Sequence, residues 1–158
     1  MKILLILFFS LLLNTSLASA DEKPGRFFED QPDVTDEHQI HFIYLLPSDG
    51  EDRELDINGS MESILEKVNN TMFEATKANK GSGGVGKKYR YDYRKDGKLD
   101  ITFIRTSKNW KELQDKSVNT QMGHYFNQVG GFNNKKKTYF LWTDVDRGNH
   151  GGDAGVGI

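Results

Sequence analysis

The run Ile40-His-Phe-Ile-Tyr-Leu-Leu46 constrains the fold more than any other stretch of this chain. As an extended strand it places Ile40, Phe42, Tyr44 and Leu46 on one face and Ile43 and Leu45 on the other, so both faces are apolar. Such a strand is stable only where structure covers it twice, which makes it a central strand of a layered α/β sheet. Pro47-Ser-Asp-Gly50 closes it with residues suited to a tight turn.

The following pattern offers the cover. Met61, Ile64, Leu65, Val68, Met72 and Ala75 recur at helical spacing and predict a helix with Ser60 as N-cap. Lys77 and Lys80 favour its C-terminal dipole, and Gly81 stops it. Tyr89, Tyr91 and Tyr93 alternate with Arg90, Asp92 and Arg94, the pattern of a half-exposed strand with its tyrosines inward. Asp96-Gly97 is a hairpin turn signal, and Leu99 to Arg105 is the expected partner. A second helix starts near Asn109, where Glu112 is placed as in a capping box. Trp110, Leu113, Val118, Met122, Phe126 and Val129 form its imperfect apolar face, and Gly130-Gly131 ends it. Past the basic loop Lys135 to Lys137, Thr138 to Thr143 reads as a further strand, apolar on both faces. The expectation is an α/β (α+β) domain over residues 39–158, of order βαββαβ, with a mixed sheet of about four strands and two helices.

Residues 21–38 are acidic and polar, with Pro24 and Pro32, and read as a flexible lead-in. At the other end, Asp144 to Ile158 is glycine-rich and has little to pack. Two doubly apolar strands also want more cover than two helices provide. The domain is therefore expected to continue past Ile158.

The N-terminus reads as an address. Lys2, the apolar run Ile3 to Leu13, and Ala18-Ser-Ala20 have the three parts of a secretory signal peptide, with Ala18 and Ala20 framing the cleavage site. The apolar run falls short of the roughly 20 residues that span a bilayer. The mature chain, 21–158, is expected to be secreted or periplasmic, with no transmembrane anchor once the signal is removed. No cysteine is present. That favours a bacterial exterior over a disulfide-built eukaryotic one and excludes thiol catalysis, cysteine-based zinc sites and a lipoprotein anchor. Two glycosylation sequons, at Asn58 and Asn69, mean little in that setting. The chain has 21 basic and 23 acidic side chains, and loss of Lys2 makes it one unit more acidic. This balance argues against a nucleic-acid partner.

Several motifs invite chemistry and do not support it. Gly81-Ser-Gly-Gly-Val-Gly-Lys-Lys88 fits two phosphate-loop patterns, but the order around it is helix then strand, the reverse of what those loops need. Lys88 also stands where a Mg²⁺-binding hydroxyl belongs. The loop is read as a linker. The basic, aromatic stretch Lys87 to Lys98 is diluted by Asp92 and Asp96 and reads as a strand face. His38 and His41 would point to different faces, and with His124 and His150 they are expected to be solvated or capping. No His-Glu-x-x-His is present, so no metal site is assigned to histidine. Asp144, Asp146 and Asp153 are candidate cation ligands, although Gly148 and Asn149 are displaced from an EF-type loop. No Ser-His-Asp set can be selected, and the catalytic residues stay unassigned.

The segment His41-Phe-Ile-Tyr-Leu-Leu-Pro-Ser-Asp-Gly-Glu-Asp-Arg53 resembles the opening strand and turn of a group of secreted bacterial proteins similar to zincins. Arg90-Tyr-Asp92, Leu99 to Arg105 and Lys137 to Asp144 resemble its next elements, so the likeness covers most of 40–144. It implies a zincin-like N-terminal subdomain. In that family a later helix carries His-Glu-x-x-His, whose histidines bind zinc while the glutamate activates water. The resemblance thus implies the N-terminal fragment of a zinc metallopeptidase-like domain, not catalytically competent as given. Zinc is expected only with a C-terminal continuation. The alternative is a complete small binding module, periplasmic or at the cell surface, without enzymatic activity.

Overall fold

The computed structural model describes residues 20–114 and 132–143. The doubly apolar run forms β1 (Gln39–Leu46), and β2 (Ile101–Arg105) and β3 (Lys137–Thr143) flank it in the order β2-β1-β3. Both pairings are parallel, with Phe42 opposite Ile101 on one side and Phe140 on the other. Two α-helices are described, α1 (Ser60–Ala78) and α2 (Trp110–Gln114), with a short 3-10 turn at Lys80–Ser82 after α1.

The central strand is covered on both faces, as its pattern requires. Phe42, Tyr44 and Leu46 pack with Met61 and Leu65 of α1 and with Tyr91, Leu99, Ile101 and Phe103. Ile43 and Leu45 pack on the other face with Ile104, Tyr139, Phe132 and Leu141. Burial of each such side chain contributes roughly 1.5–3 kcal/mol, so β1 is the thermodynamic centre of the domain. β3 is an edge strand among the described residues, and Phe140, Leu141 and Trp142 are only half-buried.

The sheet departs from expectation in one respect. It has three parallel strands among the described residues, where a mixed sheet of about four was expected. The segment 89–93 forms single bridges, Tyr91 with Ile40 and Tyr93 with Leu99, and no continuous ladder. Its side chains explain why. Tyr91 packs edge-on against Phe42 while Asp92 reaches an ion cluster, so neighbouring residues are both buried. A regular half-exposed strand cannot satisfy both. The Asp96-Gly97 turn forms as expected, with Gly97 at φ 80°.

α1 begins one residue differently from expectation. Gly59, in a left-handed conformation, is the N-cap, and the Asn58 side chain accepts the Ser60 N–H at 2.9 Å. The buried stripe is Met61, Leu65 and Asn69, while Ile64 and Val68 stay exposed. The helix is turned because Asn69 clamps the backbone of Tyr89, accepting its N–H at 2.7 Å and donating to its carbonyl at 3.0 Å. At α2 the capping box is present in both directions: Glu112 accepts from the Asn109 N–H, and Asn109 accepts from the Glu112 N–H. The helix expected to run on to Val129 lies beyond Gln114, outside the described residues.

The glycine-rich loop holds to α1 and leads to no following helix before residue 110. Thr76 Oγ1 accepts the Lys87 N–H at 2.7 Å. Gly86 lies under the Phe73 ring, where an added Cβ would come within 2.3 Å of a ring carbon. Packing against Phe73 explains that glycine. Gly86→Ala is expected to cost about 1–3 kcal/mol through displacement of the ring, measured by denaturant unfolding.

Candidate functional site

Residues 21–38, expected to be a flexible lead-in, lie against the sheet. Phe27 bridges Thr102 on the outer edge of β2, and the Phe103 N–H donates to the Phe27 carbonyl at 2.8 Å. Arg26, with a fully buried side chain, ties this segment to the loop after β1 through Asp52 at 2.7 Å and Asp56 at 2.8 Å. Ion pairing to that loop is what holds so polar a segment against the fold.

The Pro47–Gly50 turn stands at the carboxyl ends of the strands, where open parallel sheets commonly take ligands. Here it acts as a clasp. Asp49 Oδ1 accepts the first N–H of α2, from Trp110, at 2.9 Å. The Ser48 N–H donates to the Lys108 carbonyl, and Arg105 Nη1 donates to the carbonyls of Pro47 and Gly50. Arg105 Nε in turn meets the Asp21 carboxylate at 2.8 Å. The motif thereby joins the ends of β1 and β2 to the start of α2 and to residue 21.

At the opposite end of β1 is a second polar centre, the buried one. His41 has no exposed surface. Its Nδ1 lies 2.9 Å from Asp92 Oδ2 and its Nε2 lies 2.9 Å from Thr102 Oγ1. Asp30 Oδ1 and Asp100 Oδ2 stand 3.7 and 3.8 Å from the same Nδ1. Lys137, the first residue of β3, adds an ammonium that contacts Asp30 at 2.5 Å, Asp33 at 2.6 Å and Asp92 at 2.7 Å. Five elements meet here: the segment 30–33, β1, the bridge residue 92, β2 with the residue before it, and β3.

The electrostatics divide the two buried carboxylates. Burial alone would raise Asp92, but hydrogen bonds from His41 and Lys137 outweigh it and hold this carboxyl below its ordinary value. Burial dominates at Asp100 and pushes it up to about 6, helped by Asp92 and Asp30 and opposed by the Gln31 N–H and His41. Burial likewise works against the Lys137 ammonium, yet its three carboxylate partners hold it above its ordinary value. Asp92 Oδ1 and Asp100 Oδ1 accept no hydrogen bond from any described residue.

This arrangement corrects the expectation that His41 is solvated or capping. His38 does lie exposed, but His41 is sealed beneath the sheet edge. Asp30, Asp100 and Lys137 were not singled out as site residues by the sequence, and Asp92 entered as the aspartate of Arg90-Tyr-Asp92. Two signals were available: the Arg90-x-Asp92 element of the resemblance, and Asp100 standing directly before the apolar strand Ile101–Arg105. Of the other candidates, Asp144, Asp146 and Asp153, with His124 and His150, lie outside the described residues, as does Ala18. Ala20 is exposed.

A cleft of about 620 Å³ runs between α1 and residues 88–99, lined by Tyr89, Tyr91 and Tyr93 with Glu62, Glu66 and Arg90. Tyr89 and Tyr93 are half-exposed in it. No helix of the described residues is long and apolar enough to cross a membrane.

No family model and no curated protein matches the chain. Among solved structures it is similar to the crystal structure of catalytically inactive OgpA from Akkermansia muciniphila in complex with an O-glycopeptide (glycodrosocin) substrate, at 12% sequence identity and a TM-score of 0.45. The likeness covers 82% of this chain and 37% of that one, so the chain spans little more than a third of that protein's length.

Proposed function

We propose that the chain is the N-terminal part of an exported zinc metallopeptidase-like domain, a scaffold that carries no catalytic residue of its own. The observation that supports it is the clasp. Pro47-Ser-Asp-Gly50 is the distinctive motif of the sequence resemblance, and its Asp49 and Gly50 hydrogen-bond to α2 and to Arg105 of β2. Such a turn orders strand ends for structure that follows. The order strand, helix, Arg-x-Asp segment, strand, helix, strand also contains that family's elements in sequence.

The described residues do not fit the catalytic zinc of such enzymes. The described histidines are His38 and His41, and His41 is closed off among carboxylates with no exposed surface for a substrate to reach. No hydrolytic step is therefore assigned to the described residues. The signal at residues 1–20, with cleavage after Ala20, directs it to the periplasm or beyond.

The coding sequence beyond the codon for Ile158 tests the proposal. An open frame that encodes a His-Glu-x-x-His helix is expected. A stop codon directly after Ile158 would sink the proposal. It would favour the second reading, a complete binding module, which the tyrosine-lined cleft supports.

A further inference from the structure

The cluster around His41 holds more negative charge than its cation answers. Among the described residues Asp30, Asp33 and Asp92 converge on one ammonium, that of Lys137, and Asp100 stands beside them, 3.8 Å from His41 Nδ1, with no ion pair to Lys137. Asp92 and Asp100 are each 1% exposed, and buried carboxylates left without compensation are costly. One ligand atom from each of Asp30, His41, Asp92 and Asp100 lies within 4.8 Å of all the others. Independently of the charge count, both buried carboxylates keep an oxygen that no described residue contacts by hydrogen bond. Asp100 faces the cluster, since its Oδ2 is 3.8 Å from His41 Nδ1.

The geometry points to a divalent-cation site formed by Asp30, His41, Asp92 and Asp100. One imidazole nitrogen with three carboxylates suits Zn²⁺ or Mn²⁺. Ca²⁺ prefers about six to eight oxygen ligands and is a poor match. The imidazole already has its supporting partner: with the proton on Nε2, the ring donates to Thr102 Oγ1 at 2.9 Å and presents a bare Nδ1. The Thr102 hydroxyl rotates to serve either tautomer. Binding exchanges the Nδ1 contact with Asp92 for a bond to the metal. The metal takes the place of the Lys137 ammonium on Asp30 and Asp92, while Asp33, 2.6 Å from Nζ, keeps Lys137 paired. The site is structural, pinning the segment 30–33 to β1 and the residues before β2. It goes beyond the metallopeptidase reading, and a stop codon after Ile158 would leave it untouched.

The full chain, purified with chelator and then dialysed, is titrated with Zn²⁺, Mn²⁺ or Ca²⁺ during thermal unfolding, and bound metal is counted by elemental mass spectrometry. Zn²⁺ or Mn²⁺ is expected to raise Tm by at least about 5 °C at saturation, with one ion retained per chain. Asp100→Asn keeps an oxygen for the Gln31 N–H and removes a buried charge, so it folds; it is expected to abolish the shift. No response to either transition ion, or a response to Ca²⁺ alone, overturns the site. So does a shift that survives Asp100→Asn, which would put the metal elsewhere, Asp144, Asp146 and Asp153 included.

Discussion

Arg26→Ala is expected to cost roughly 3–5 kcal/mol of folding stability, the range for removal of one partner of a buried ion pair. The side chain is fully buried and its donors are all engaged. Nε donates to Asp56 Oδ2 at 2.8 Å, Nη2 to Asp56 Oδ1 at 2.8 Å and to Asp52 Oδ1 at 3.0 Å. Nη1 donates to Asp52 Oδ2 at 2.7 Å and to the Asp21 carbonyl at 3.2 Å, and the guanidinium rests 3.9 Å over the Phe103 ring. An intact buried pair adds little net stability, because desolvation offsets its attraction. The loss arises because Asp52 and Asp56, 11% and 1% exposed, would be left charged with no guanidinium. Restoring neutrality tests this cause: Asp52→Asn with Asp56→Asn on the Arg26→Ala background should recover much of the loss in denaturant unfolding. The acid limb is diagnostic too. Hydrogen bonds from Arg26 hold the Asp52 carboxyl well below its ordinary range. Its contribution is therefore full above that range and disappears as pH falls below it, and Arg26→Ala should flatten that limb.

The same residue marks where sequence reasoning runs out. β1 was legible because apolar residues on both faces between Ile40 and Leu46, broken only by His41, have one physical solution, cover on both faces. The Asn109–Glu112 box and the Asp96-Gly97 turn were legible because their bonds are local. Residues 21–38 look solvated in sequence because charge alone does not reveal a partner, and Arg26 finds its own 26 and 30 residues away. His41 and Asp92 failed for the same reason: alternation assigns a face, and a carboxylate assigned outward can turn inward when Lys137 of β3 waits there. The α1 stripe slipped because Asn69, a polar residue, was bought a buried position by the Tyr89 backbone. Local and apolar signals were readable. Long-range ionic ones were not.

Asp100→Asn should have the opposite sign to Arg26→Ala. Asp100 Oδ2 accepts the Gln31 N–H at 2.7 Å, but Oδ1 receives nothing from the described residues, and Asp92 and Asp30 are close neighbours. Burial first, then those carboxylates, raise its pKa from 3.8 to about 6. Between those values the folded chain holds a proton that the unfolded chain has already released. Stability therefore falls as pH rises through that window and levels off above it, by up to about 3 kcal/mol for this group. Asn has the same shape, cannot ionise, and still offers an oxygen to Gln31. In chelator, the variant is expected to gain between about 1 and 3 kcal/mol at pH 7 and to lose the decline between pH 4 and 6. The acid loss from Asp52 and Asp92 lies below that window, because both are shifted down, so the two limbs separate in one series of urea curves. A variant less stable than the parent at pH 7, with the decline intact, would show that Asp100 is held as a well-compensated carboxylate and that the charge excess around His41 is not felt by the fold.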